Sequence, residues 1–247
     1  MKYDIASHLL PLKGAFNARD LGNYPITGHR QTREDIFFRS DSTSKYLKDD
    51  IAFLADKNLG LVVDLRSQQE VINAPSVFAD TKSVRYENVQ MLDDLNSGPK
   101  DGVLPPSMST IYIHLLDTAK EGFSRIFKAF AETLERRQSC LFHCAVGKDR
   151  TGTTAMLLLN LAGASDEVII QDYAATYGFM KPIFDKQMAE YRARGYNLPE
   201  YMFRSDASSM VETLTHFRDV YGNARDYLLD CGVNHKQLDI ITDTFVV

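Results

Sequence analysis

The run His143-Cys144-Ala145-Val146-Gly147-Lys148-Asp149-Arg150-Thr151-Gly152 gathers the residues of this chain whose types and spacing can do chemistry. Cys144 ends a short apolar run, Cys140–His143, and an apolar stretch, Thr151–Ala162, follows the loop. A strand, a short loop and a helix in that order turn successive loop N–H groups inward, forming an anion nest. The helix adds its unpaired N-terminal amides and the positive end of its dipole. Gly147 and Gly152 lack a Cβ where backbone must bend or approach a ligand closely. Such a nest suits a phosphate dianion, held by the loop residues Ala145, Val146, Gly147, Lys148 and Asp149 together with Arg150. Amides and a helix terminus around Cys144 favour its thiolate, the nucleophilic form. Arg150 can fold back over the loop, where its planar fork matches two phosphate oxygens. This is the equipment for phosphoryl transfer to sulfur, with neither metal nor cofactor.

Other chemistries of the same residues fail on spacing. Cys140 and Cys144 on one extended segment lie about 13 Å apart, beyond the roughly 7 Å that a disulfide spans. Two sulfurs with His143 on the opposite face do not make a tetrahedral metal set. A nucleotide-binding loop needs glycine five residues before the Gly147-Lys148 pair and Ser or Thr after it; Phe142 and Asp149 stand there. An inert buried thiol beside a solvated charge run is the bland alternative, and the coincidence of the whole constellation argues against it.

The run "HCAVGKDRTG" resembles the signature of the protein-tyrosine phosphatase superfamily: His-Cys, five residues, Arg, Ser or Thr, Gly. The finer likeness is to bacterial tyrosine and lipid phosphatases whose loop carries Gly-Lys-Asp before the arginine. "FNARDLGNY" (16–24), "FFRSD" (37–41), "VVDLRSQQE" (62–70) and "YGNARDYLLDCGV" (221–233) resemble further motifs of that family, so the likeness covers nearly the entire chain. Val146 departs from it, standing where the family often has a smaller residue. The resemblance implies that Cys144 forms a phosphocysteine, Arg150 stabilises the transferring phosphoryl group, and Thr151 donates its hydroxyl to the departing sulfur. It implies phosphotyrosine substrates, with phosphoserine, phosphothreonine and phosphoinositides as candidates. Lys148 would add charge for a polyanionic head group. Asp149 would act as acid or base, or hold Lys148 or Arg39 in place. His143 orders the loop or is a plain core histidine. A binding module with weak catalysis is the competing function.

A leaving alkoxide or phenolate needs a proton, worth about 10²–10⁴ in rate. The candidates are, in order, Asp94, Asp93, Asp149 and Asp117. The first two open the segment 92–107, rich in Gly and Pro and poor in apolar anchors, the pattern of a long functional loop.

The elements that must position these residues follow from periodicity. Strand-like runs are 36–39, 61–65, 84–89 and 140–143; the second and fourth are continuously apolar, as strands buried on both faces are. Phe123, Ile126, Phe127, Phe130 and Leu134 make one helical stripe over 121–137. Helix 151–162 is apolar all round, with Gly163 as a left-handed cap. Beyond Ser165, an N-cap, the chain reads as helical: 166–178 ended by Gly178, then 183–194, 206–221, and a last short helix capped by Asn234 with Gln237. The predicted fold is α/β, a central mostly parallel sheet flanked by helices with a helical C-terminal half. Residues 1–247 read as a single phosphatase domain, with a helical lid within 166–205 in the resembling family. Asp64 and Arg66 read as the end of a buried strand, and Arg19–Asp20 as paired internally.

Bulk properties remove other classes. A net charge of −5 opposes a nucleic-acid footprint. No apolar run reaches the roughly 18 residues that span a bilayer, and the N-terminus lacks a signal-peptide pattern. The expected location is cytoplasmic, without stable membrane insertion; the expected partner is a phosphorylated protein or a phosphoinositide.

Overall fold

The computed structural model describes residues 4–91 and 104–247. Its five-stranded sheet contains β1 (Arg19–Asp20), β4 (Phe37–Ser40), β5 (Leu59–Asp64), β6 (Arg85–Asn88) and β7 (Ser139–His143), in the order β1-β4-β7-β5-β6. Strands β4, β7, β5 and β6 run parallel, and only β1 is antiparallel to its neighbour. A separate hairpin pairs β2 (Pro25–Ile26) with β3 (Arg30–Gln31).

Alternation along the central strands explains why they are apolar throughout. Phe37, Leu61, Val63, Cys140 and Phe142 enter the larger core, while Phe38, Val62 and Leu141 enter a second core on the other face. Helices α1 (Lys48–Asp56) and α2 (Gln68–Asn73) follow β4 and β5, and α3 (Met108–Thr118) and α4 (Lys120–Glu135) precede β7. The predicted α4 stripe is buried as a unit: Phe123, Ile126, Phe127, Phe130 and Leu134 all lie in the larger core.

Helix α5 (Arg150–Ala162) is buried on nearly every side, and Gly163 ends it in the left-handed region at φ 88°. It runs straight out of the loop after β7, so the loop is held between a buried strand and a buried helix. The register aligns Ser40, His143 and Asp64 across β4, β7 and β5. Loops leaving the carboxyl ends of these strands therefore open on one edge, where parallel sheets place their ligand sites.

The C-terminal helices are α6 (Asp166–Ala193), α7 (Ala207–Tyr221), α8 (Ala224–Asp230) and α9 (His235–Phe245), with a 3-10 turn, Glu200–Phe203, between α6 and α7. The Asn234–Gln237 capping box is present as predicted. One boundary is corrected. Gly178 does not end its helix; α6 continues through Gly178 and Pro182 for 28 residues. A Cβ at Gly178 would meet nothing within 4 Å, and packing beyond it outweighs the weak helix propensity of glycine.

Arg19 and Asp20 do not pair with each other. Arg19 reaches Asp172 of α6, while Asp20 accepts the N–H groups of Gly22 and Asp35. Asp64 is the last residue of β5, and Arg66, two residues on, forms an ion pair with it at 2.6 Å. Among the described residues, no helix is long and apolar enough to cross a membrane.

Candidate active site

Cys144 lies just past β7, 1 % exposed, at the floor of the loop that leads to α5. Its surroundings are decided by where the loop carbonyls go. The Cys144 carbonyl lies 3.1 Å from His143 Nδ1, and the Ala145 carbonyl accepts the Ser42 N–H at 3.1 Å. The Val146 carbonyl accepts Asn17 Nδ2 at 3.0 Å. The Gly147 carbonyl accepts Asn17 Nδ2 at 3.2 Å and Arg39 Nη2 at 2.7 Å. Four consecutive carbonyls are thus drawn backward and satisfied. Among the described residues, no protein acceptor takes the N–H groups of Ala145 to Asp149. A concave row of N–H groups of this kind can bind an anion.

Gly147 makes that curvature possible. Its φ is 70°, and a Cβ there would stand 2.5 Å from the Ser40 carbonyl oxygen. Only glycine fits. His143 is fully buried, with Nε2 3.2 Å from the Thr43 hydroxyl. Burial lowers its pKa, against the opposing pull of Asp64, whose Oδ2 lies 3.6 Å from Nε2; a proton on Nδ1 donates to the Cys144 carbonyl. His143 orders the loop.

Arg150 is 4 % exposed and is gripped by Glu70 in a two-pronged ion pair, Nη1 to Oε2 at 2.6 Å and Nη2 to Oε1 at 2.9 Å. Burial works against its charge, but Glu70, Cys144 and Asp149 raise its pKa above the ordinary arginine value. Glu70 is itself fixed by a capping box at the start of α2: its Oε2 accepts the Ser67 N–H, and Ser67 Oγ accepts the Glu70 N–H. Among the described residues, Arg150 Nε and Thr151 Oγ1 are buried with no hydrogen-bond partner. Both stand at the start of α5.

Lys148 and Asp149 face sideways. Lys148 is 1 % exposed; its Nζ donates to the Met202 carbonyl at 2.6 Å and the Arg204 carbonyl at 3.2 Å, 3.4 Å from Asp149 Oδ1. Asp149 Oδ1 accepts the Tyr112 hydroxyl at 2.6 Å, and Tyr112 in turn meets the Tyr173 hydroxyl at 2.7 Å. Val146 packs against the cluster of Met180, Phe184 and Phe203, so it contacts the later half of α6 and the following turn. Ala145 is the exposed residue of the loop. Asp117 lies in α3 and accepts the Tyr221 hydroxyl, in a different neighbourhood. Asp93 and Asp94 lie outside the described residues. Among the described residues, no group of His, Cys, Asp and Glu side chains is placed to hold a metal ion.

The sequence model of the "Tyrosine phosphatase family" matches residues 10–247. The chain belongs to the tyrosine phosphatase family. Within it, the chain is similar to a tyrosine-protein phosphatase of Nostoc commune, 26 % identical over 215 residues, covering 83 % of this chain and 72 % of that protein. It is also similar to the triple specificity protein phosphatase PtpB of Mycobacterium tuberculosis, 24 % identical, covering 92 % and 95 %. The crystal structure of P. aeruginosa TpbA is a distant likeness, with TM-score 0.37 and 12 % identity over 82 % of this chain and 90 % of that one.

For this tyrosine phosphatase, residue patterns alone overlooked Glu70, Asn17, Asp172 and Tyr112 as parts of the site, and offered Arg39 only as a partner of Asp149, whereas it pairs with Asp172 and Asp149 lies beside Lys148. Glu70 carried a readable signal, since Ser67-x-x-Glu70 is a capping-box spacing. Asn17 and Arg39 sit inside the family-like stretches 16–24 and 37–41, whose work is to pin the loop from behind. Asp172 and Tyr112 had no local signal; they look like ordinary helix residues.

Proposed function

We propose that the chain is a phosphomonoester hydrolase that works through a phosphocysteine. The observation that carries this is the row of amides above Cys144 that are unaccepted among the described residues, with the carbonyls of residues 144–147 behind them tied down. In the first step the Cys144 sulfur attacks phosphorus, the phosphorus–oxygen bond to the substrate breaks, and the leaving oxygen takes a proton. Arg150 and the loop amides meet the equatorial oxygens as charge spreads over them. In the second step water attacks phosphorus and gives its proton to the carboxylate that the first step deprotonated, the sulfur–phosphorus bond breaks, and phosphate departs. The Thr151 hydroxyl eases the return of sulfur as a thiolate.

Asp94 and Asp93 remain the preferred proton donors, on the sequence argument. Asp149 accepts a hydrogen bond from Tyr112 and lies 3.4 Å from the Lys148 ammonium. We read it as an organiser of the loop, and as a base if it acts chemically.

Phosphotyrosine is the primary substrate proposed. The printed name of the M. tuberculosis relative, a triple specificity phosphatase, supports phosphoserine and phosphothreonine as further substrates. Phosphoinositides would require Lys148 to exchange its two carbonyl partners for a head group. Residues 1–247 are proposed to act as one phosphatase domain. Within it, the later half of α6 and the Glu200–Phe203 turn form a cover touching Val146 and Lys148.

Purified protein should hydrolyse p-nitrophenyl phosphate in the presence of chelator and be inhibited by orthovanadate. Cys144→Ser should lose turnover while still binding vanadate; turnover retained in that variant would sink the thiol mechanism. A panel of phosphotyrosine, phosphoserine, phosphothreonine and phosphoinositides then ranks the substrates.

A further inference from the structure

Behind the loop lies a buried charge assembly that no step above uses. Asp172, on the first half of α6, takes Arg19 Nε on Oδ1 at 2.8 Å and Arg39 Nη1 on Oδ2. The Tyr24 hydroxyl donates to the same Oδ1 at 2.8 Å. Both arginines are fully buried, and Asp172 is 1 % exposed. Two guanidiniums thus share one carboxylate out of contact with water, leaving one surplus positive charge. Burial and the neighbouring Arg19 pull the Arg39 pKa below its ordinary value, a sign that the arrangement is held against its own repulsion.

A buried ion pair is weak evidence of a stabilising role, because apolar residues of similar volume often serve as well. What sets this one apart is where its free prongs go. Arg39 Nη2 donates to the Gly147 carbonyl at 2.7 Å. Arg19 Nη1 donates to the Asn17 carbonyl at 3.1 Å and also to Asn17 Oδ1. The Asn17 amide nitrogen then holds the carbonyls of Val146 and Gly147. From one carboxylate on α6, two arginine bridges converge on the carbonyls whose direction decides where the loop amides point.

We propose that Asp172 and Arg39 are positioning residues for phosphoryl transfer: the carboxylate aims the guanidinium, and the guanidinium holds the Gly147 peptide so that the loop amides face the phosphoryl group. The peptide at Gly147 needs such a clamp, because glycine at that φ has neighbouring conformations open to it. Released, the peptide can rotate and present its carbonyl to the phosphate instead of its neighbour's N–H. Lysine in place of Arg39 keeps the charge but cannot bridge Asp172 and Gly147 with a rigid fork.

The inference rests on the phosphatase reading, and the experiment separates the two. Wild type, Arg39→Lys, Arg39→Met, Asp172→Asn and the Arg39→Met/Asp172→Asn double variant are compared. For each, kcat and KM on p-nitrophenyl phosphate, orthovanadate affinity and thermal melting are measured, and only variants folded at the assay temperature are scored. Loss of a charge-assisted hydrogen bond corresponds to about a 10- to 100-fold fall in kcat/KM and in vanadate affinity. That fall is expected for both Arg39 variants and for Asp172→Asn. The double variant should be no worse than the poorer single one, because both act through one clamp. Folded Arg39 variants that keep vanadate affinity and kcat/KM within about twofold of wild type would overturn the inference and leave a structural pair only; multiplicative losses in the double variant would overturn the coupling. Absence of turnover and of vanadate binding in wild type would instead remove the phosphatase reading itself.

Discussion

Glu70 is the residue whose removal should tell most about how Arg150 is held. The Glu70 fork and the Leu65 carbonyl orient a guanidinium that is otherwise buried. Glu70→Gln keeps the shape and removes the charge. It should lower kcat/KM on p-nitrophenyl phosphate by about 10- to 100-fold, the range for one charge-assisted hydrogen bond, with a smaller change in melting temperature. An unchanged kcat/KM would mean that Arg150 needs no partner before substrate arrives. Gly147→Ala should be harsher, because its Cβ would meet backbone rather than a flexible side chain; vanadate titration should show binding abolished in protein that still melts cooperatively. At this scale the sequence was legible where chemistry is local. His143, Cys144, Arg150 and Thr151 stand in one decapeptide, so their meeting required only a strand, a loop and a helix. Asn17, Asp172 and the true partners of Arg39 were not legible, because what unites them is a set of carbonyls in space and not a spacing in the chain.

Helices and strands follow the same division. The sheet could be read because continuous apolar runs and a buried stripe at helical spacing have few alternatives. The break expected at Gly178 was wrong, since propensity is a weak prior against the packing of Met180 and Phe184 on Val146 and Phe203. The consequence is a long α6 that carries Asp172 near one end and presses on the loop near the other. Lys148 is the second tie between loop and cover. Lys148→Met retains much of its volume and leaves the Met202 and Arg204 carbonyls without their donor. Amide exchange across 200–206 should then speed up by about tenfold, the equivalent of one hydrogen bond of about 1.4 kcal/mol. Exchange at the wild-type rate would show that apolar contact alone holds the turn.

For the molecule as a whole, the two arginines beneath the loop also set a pH dependence. Burial alone would raise the Asp172 pKa, but Arg19 and Arg39 prevail and hold it at about 2, against an ordinary 3.8. The folded state therefore binds this proton less readily than the unfolded chain does. The stability gained is complete above about pH 4 and is lost as pH falls toward 2, on the order of 2 kcal/mol from this group. Urea midpoints measured from pH 6 to pH 3 should fall in wild type and fall less steeply in Asp172→Asn; parallel slopes would count against the assignment.

The placement of the three thiols bears on how the protein meets oxidants. Cys140 is sealed inside β7, where burial raises its pKa. Cys231 closes the C-terminal end of α8, beside Tyr227, Lys120 and Asp230. Cys140, about 13 Å away along one extended segment, cannot trap a Cys144 sulfenic acid as an internal disulfide. Peroxide should therefore carry the nucleophile onward to sulfinic and sulfonic acid unless a small thiol intercepts it. Recovery of activity by dithiothreitol should decay steadily with exposure time. Mass spectrometry should find added oxygen on Cys144 and no cross-linked cysteine peptides.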